Sequence, residues 1–200
     1  MESHDIIYNV RKSVCMCFIP KGANLNFDPC FLLAGRILDC IKTCKYLGVH
    51  ITCDLKDNTA IRHQIRNIYS RGNSIIRNFS HCSDDVKCEL FQSYCTNFYC
   101  APLWCCYNTE SMRSLKVAYN RVFRILMNLV HRTSMSANFV FRGMNPFKVI
   151  LRRLIGSFKS RIFNSMNTLI QSIVSSRFFF GSHLIKEWKR NLFNCKPLDE

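Results

Sequence analysis

Acidic residues are scarce in this 200-residue chain: 13 Asp and Glu stand against 28 Lys and Arg. The formal net charge is +15 and the pI lies near 9.5. Only Asp84-Asp85 and Asp199-Glu200 are adjacent acids. Metal-dependent phosphoryl transfer needs carboxylates that converge on two magnesium ions. Asp84-Asp85 follows Ser83 and reads instead as the start of a helix, where the dipole favours negative charge. Glycine-rich phosphate loops, G-x-S-x-G and H-E-x-x-H are all missing, which removes the residues of nucleotide-loop, hydrolase-elbow and zinc-protease chemistry. Six histidines are scattered singly and read as surface or filler residues.

Closely spaced cysteine pairs are also lacking. Thirteen cysteines contain no C-x-x-C, only Cys15-x-Cys17, Cys40-x₃-Cys44 and Cys105-Cys106, so no zinc ligand set is expected. The N-terminus has no secretory signal: Met1-Glu2-Ser3-His4-Asp5 is acidic where a positive region belongs. The cysteines, among them Cys15, Cys17, Cys40, Cys53 and Cys95, therefore read as reduced, buried small hydrophobes of an intracellular protein. One uncharged stretch, Leu90 to Thr109, approaches the length of a membrane span. Gln92, Ser93, Thr96, Asn97, Pro102 and Asn108 interrupt it, so it reads as a buried core helix and no stable membrane insertion is expected.

What is present is a folding composition, with 48% hydrophobic and 20% charged residues, and no internal repeat or low-complexity segment. The first fifty residues read as strands. Val14 to Ile19 closes on the Pro20-Lys21-Gly22 turn signal. Phe31 to Ala34 and Ile37 to Ile41 flank Gly35-Arg36, a two-residue hairpin turn with glycine first. Lys45 to Ile51 forms a third run with Gly48 inside it, which suggests a bulge or close backbone approach.

After Asp54 the period becomes helical. Ile61, Ile65, Ile68, Ile75 or Ile76, and Phe79 mark a first helix, with Asp54 and Asp57 as candidate caps and Arg62, Arg66, Arg71 and Arg77 on its surface. A second, from Ser83, turns Val86, Leu90, Tyr94 and Phe98 inward. A third, from Ser111, buries Leu115, Ala118 or Tyr119, Val122, Leu126 and Leu129, with Arg113, Lys116, Arg121, Arg124 and Arg132 among them. Thr133 to Ser136 reads as a connector. Asn145-Pro146 starts a long helix through Leu151, Leu154, Phe158, Ile162, Met166, Ile170 and Ile173, with Arg152, Arg153, Lys159 and Arg161 on its polar face. A short helix over Gly181 to Phe193 follows.

The order of motifs resembles one family. Tyr8-Asn9-Val10-Arg11-Lys12-Ser13-Val14-Cys15-Met16-Cys17-Phe18, then Leu33-Ala34-Gly35-Arg36-Ile37-Leu38, then Lys45-Tyr46-Leu47-Gly48-Val49-His50-Ile51 is similar to the closing part of the palm in LINE-type (non-LTR) retrotransposon reverse transcriptases. Ser93-Tyr94-Cys95, Leu103-Trp104 and Ala118 to Arg124 resemble the thumb region of the same elements. The resemblance implies an α+β fold, a small antiparallel palm-like hairpin or sheet remnant followed by a mainly helical thumb-like bundle. It divides into an end of palm over 1–53, a helical thumb-like region over 54–135 and a helical C-terminal region over 136–200.

It also implies roles. Lys12 matches the palm lysine near the incoming triphosphate; Lys45, Tyr46, Leu47 and Gly48 match the hairpin that grips the primer. Arg62, Arg66, Arg113, Arg121 and Arg124 would neutralise phosphates irrespective of sequence. The family's F/Y-x-D-D turn, its early palm aspartate and the fingers have no counterpart here. No catalytic or metal-binding residue is therefore expected in this chain, and magnesium only in a full-length enzyme. The expected partner is RNA, DNA or their hybrid, and a separate upstream palm-and-fingers polypeptide is a further expected partner. A decayed remnant without selected function is the competing reading.

Overall fold

A computed structural model describes residues 9–19 and 30–193. The Pro20-Lys21-Gly22 turn, Tyr8 and Asp199-Glu200 lie outside the described residues. The fold is α+β: six short strands precede seven helices among the described residues.

The strands make three separate pairs rather than one sheet. β1 (Val14–Cys15) runs parallel to β4 (Asp39–Cys40), β2 (Leu32–Leu33) pairs antiparallel with β3 (Arg36–Ile37), and β5 (Thr43–Tyr46) pairs antiparallel with β6 (Val49–Thr52). The run expected to reach Ile19 is thus two residues of strand, and one pairing is parallel where antiparallel pairs were expected. The β2–β3 turn is Ala34-Gly35, one residue before the expected Gly35-Arg36. Both have positive φ, 49° and 75°, which is the twist-matched two-residue hairpin turn. Lys45 to Ile51 is likewise a hairpin and not a single bulged strand, because Leu47 and Gly48 adopt φ of 47° and 83°.

The helices are α1 (Asn58–Phe79), α2 (Asp84–Cys95), α3 (Thr109–Leu126), α4 (Met135–Phe141), α5 (Phe147–Phe163), α6 (Thr168–Ser175) and α7 (His183–Phe193). α1 and α3 lie side by side and point the same way. Asn58 Oδ1, at the start of α1, accepts from Asn108 N and Ser111 Oγ, each at 2.9 Å. Further along, a Cβ on Gly72 would come within 2.1 Å of Val122 Cγ1, so only glycine allows this approach. Asp57 precedes α1 but does not cap it. Its Oδ2 accepts from Cys105 N and Cys106 N at 2.8 and 2.7 Å, tying α1 to the chain that enters α3.

One core cluster runs from Ile61 to Trp188. At its centre the rings of Phe91, Phe98, Tyr119, Phe123, Phe139 and Phe147 meet in tilted and edge-to-face contacts, with Tyr119 and Phe139 stacked, and burial raises the Tyr119 phenol pKa well above its ordinary value. α7 closes the other side, where Trp188 Nε1 donates to Pro102 O at 2.7 Å.

Several expected helical features change. α2 buries Cys88, Phe91 and Cys95, while Val86 and Tyr94 face solvent. The expected stripe was offset because Cys88 and Cys95 carry the apolar face that larger residues suggested elsewhere. Of the Leu90–Thr109 stretch only Leu90 to Cys95 lies in α2 and Thr109 in α3; between them the chain turns around Ala101–Leu103. No helix among the described residues is long and apolar enough to cross a membrane. Ser134 caps α4, accepting from Ala137 N, so the expected connector opens a helix. The long last helix is two, because Asn167 Oδ1 accepts from Leu169 N and Ile170 N and starts α6 afresh. Met166 at the break is 87% exposed. Among the cysteines expected inside, Cys95 is buried, with its thiol pushed up to about 12 by burial. Cys40 is exposed, and Cys15, Cys17 and Cys53 are half-buried.

Candidate nucleic-acid interface

The β5–β6 hairpin is the part of the strand region that docks on the helices. Its period-2 alternation puts Lys45 opposite His50, and the His50 ring meets His63 of α1 with centroids 4.4 Å apart. Tyr99 holds the tip from the other side, its hydroxyl donating to Leu47 O at 2.9 Å. A Cβ on Gly48 would sit 3.2 Å from Tyr99 Cε1. The missing side chain at Gly48 therefore serves the tyrosine as well as the turn.

Tyr46 and Leu47 project into solvent at 62% and 76% exposure. Lys45 is exposed beside them. On α1, Arg62 and Arg66 are one turn apart and exposed. On α3, Arg113, Arg121 and Arg124 follow at helical spacing on the face opposite Leu115, Val122 and Leu126. Lys12 ends a helical turn just before β1 and is exposed. Among the described residues, no hydrogen bond or ion pair joins it to the hairpin or to the helices. The structure thus brings Lys45, Tyr46, Leu47 and Gly48 together with α1, and leaves Lys12 to the separate β1–β4 pair.

Charge pairing separates these cations. Arg62, Arg66, Arg121 and Arg124 have no carboxylate partner among the described residues, whereas Arg113 lies 4.0 Å from Glu110 across an exposed turn. Arg124 Nε is closed to solvent and has no hydrogen-bond partner among the described residues. Other basic residues are structural: Arg71 Nη1 donates to Tyr94 O at 3.0 Å, Arg142 Nη2 pairs with Asp84 at 3.1 Å, and Arg152 Nε donates to Asn191 O. Asp84 thus serves α2 and α4 at the helix start.

Two residues of the junction were not expected from sequence. His50 and His63 read as isolated histidines, because no sequence period joins a strand position to a helix position 13 residues on. Burial, then His50, Lys45 and Arg66, hold the His63 imidazole below its ordinary pKa. No group of three or more His, Cys, Asp or Glu that could hold a metal ion occurs among the described residues. No family model, curated protein or solved structure matches the chain.

Proposed function

We propose that this chain binds RNA, DNA or their hybrid without sequence preference, as the end-of-palm and thumb portion of a LINE-type reverse transcriptase that lacks the metal-binding aspartates. It holds nucleic acid and does not copy it. The observation that carries this reading is the exposed set Arg62, Arg66 and Arg121 with Lys45 at the hairpin, without carboxylate partners among the described residues. Arginines left without carboxylates keep their full charge for phosphates, and displaced counterions supply the affinity.

Titration of a labelled RNA–DNA hybrid across a salt series tests it, with a magnesium-dependent primer-extension lane alongside. The expected result is tight binding at low salt that falls steeply, with no extension. Absence of binding at low salt overturns the reading.

A second reading has its own observation. Leu32 and Ile37 are 67% and 70% exposed on two-residue strands, which fits a palm completed by another polypeptide. Polymerase activity that arises only on mixing with an upstream fragment would establish it.

A further inference from the structure

Between the end of α2 and the first half of α5 lies an open cleft of about 400 Å³. That volume falls within the range of about 300–1,000 Å³ typical of small-molecule sites. Ile150, Arg153, Leu154 and Ser157 line it from α5, at the three- and four-residue spacing of one helix face. Gln92 lines it from α2, Asn97 from the chain just beyond, and Asn145 from the turn that enters α5. No carboxylate lines the cleft among the described residues.

Hydrogen bonds to the main chain fix the rim. Gln64, buried at 5% exposure, donates through Nε2 to Asn97 O at 2.8 Å. The Tyr119 hydroxyl donates to Asn145 O at 3.0 Å, and Thr96 Oγ1 donates to Gln92 O. The carbonyls of the three amide residues are thus held, and their side chains are left over. Gln92, Asn97, Asn145, Arg153 and Ser157 make no side-chain hydrogen bond or ion pair among the described residues. Asn97, Arg153 and Ser157 are exposed. Gln92 and Asn145 are half-buried, yet neither amide is among the atoms closed to solvent, so a ligand in the cleft can reach both.

We propose that this cleft binds a single nucleotide. A side-chain amide carries donors and an acceptor in one plane, the pattern that reads the edge of a base. Gln92, Asn97 and Asn145 supply three such groups. Ile150 and Leu154 give an apolar wall for the base or sugar, and Arg153 a guanidinium for the phosphate. A bare anion would leave the amides and the wall unused, and an uncharged ring would leave Arg153 unused. Gln64 and Tyr119 hold the rim in place and do not touch the ligand. The arginines of α1 and α3 differ in kind, because they neutralise strand backbones irrespective of the base. No bond is made or broken. The nucleotide is either free or the unpaired end of a bound strand, and only the second source rests on the nucleic-acid reading.

The test is calorimetric titration of the full chain with the four ribonucleoside monophosphates, the matching nucleosides and inorganic phosphate at matched ionic strength. At least one monophosphate is expected to bind about tenfold more tightly than its nucleoside and than phosphate. Arg153→Gln is expected to remove about tenfold from the monophosphate and nothing from the nucleoside. Gln92→Ala should weaken both alike; neither side chain has a partner in the fold, so urea midpoints should stay put. If no monophosphate binds more tightly than phosphate, or if Arg153→Gln changes nothing, the proposal is overturned. An RNA–DNA hybrid with a three-nucleotide overhang is then compared with a blunt one. Tighter binding of the overhang, lost in Arg153→Gln, assigns a strand end; equal binding assigns a free nucleotide. Hybrid binding without monophosphate binding overturns this proposal and leaves the nucleic-acid reading intact. Monophosphate binding without hybrid binding does the reverse.

Discussion

The helices and the strands of this chain draw on similar apolar residues but use them in opposite ways. Every buried hydrophobic residue among the described ones lies between Ile61 and Trp188, and none lies in the strand region. Ile, Leu, Phe and Tyr recur in both. Helices with a stripe on one side can close on one another, and α1 and α3 do so where Gly72 meets Val122. Two-residue strands joined in pairs have no second layer to cover their faces, and an isolated pair is marginal. Burial follows from having a facing element, and hydrophobicity alone does not provide one.

The sharpest way to break that contrast is to truncate one apolar side chain in each region. Phe91→Ala, at 0% exposure against Tyr119 and Phe123, is expected to cost about 3–5 kcal/mol in urea unfolding. Ile37→Ala should stay within about 0.5 kcal/mol. Equal losses at both sites would mean that the strands carry a core of their own.

Next in size are the two devices that join the helices. Asp57→Ala leaves the Cys105 and Cys106 amides without their acceptor and is expected to destabilise by about 1–3 kcal/mol. Gly72→Ala should cost about 1–3 kcal/mol by pushing α1 off Val122, and Val122→Ala in the same chain should recover part of that loss. A thermal melt of the single and double variants measures the coupling; simple additivity would separate Gly72 from Val122.

A smaller effect sharpens the hairpin junction. The native pKa of His63 lies below its unfolded value, so the unfolded chain binds more protons between the two values and stability rises with pH there. The His63 contribution is complete above the unfolded pKa of about 6.5 and is lost as pH falls toward the native value. Denaturant midpoints should drop over that window, and His63→Gln should flatten the dependence.

The smallest effects on stability fall on the arginines. Arg62→Gln with Arg66→Gln should change stability by under about 0.5 kcal/mol, yet reduce the salt slope of hybrid binding by roughly one for each phosphate no longer neutralised. An unchanged slope would take α1 out of the interface.

The helical part was legible because its signals are local. Ile61, Ile68 and Ile75 fall at the expected spacing and are all buried. Ser83-Asp84-Asp85 opens α2 where the dipole argument placed it. Size misleads in α2: Val86 and Tyr94 are the larger apolar residues, but the smaller Cys88 and Cys95 face the core. Asn167 marked a new helix that the continuous apolar pattern concealed. For the interface, the exposure of Arg62, Arg66 and Arg121 was readable from their offset against the apolar stripe. The pairing of His50 with His63 was not readable.

By itself the sequence determined where the apolar stripes of α1 and α3 lie, that Ser83-Asp84-Asp85 opens a helix, and that the molecule carries a large surplus of positive charge. These rest on neighbours within a few positions and on a sum over residues, and neither depends on the fold. Only the tertiary structure decided that the strands form separate pairs, that Asp57 serves Cys105 and Cys106, and that His50, His63, Lys45 and Arg66 share one junction. Those outcomes depend on distances between elements far apart in the chain, set by how the helical stripes close on one another, and no local period carries that information.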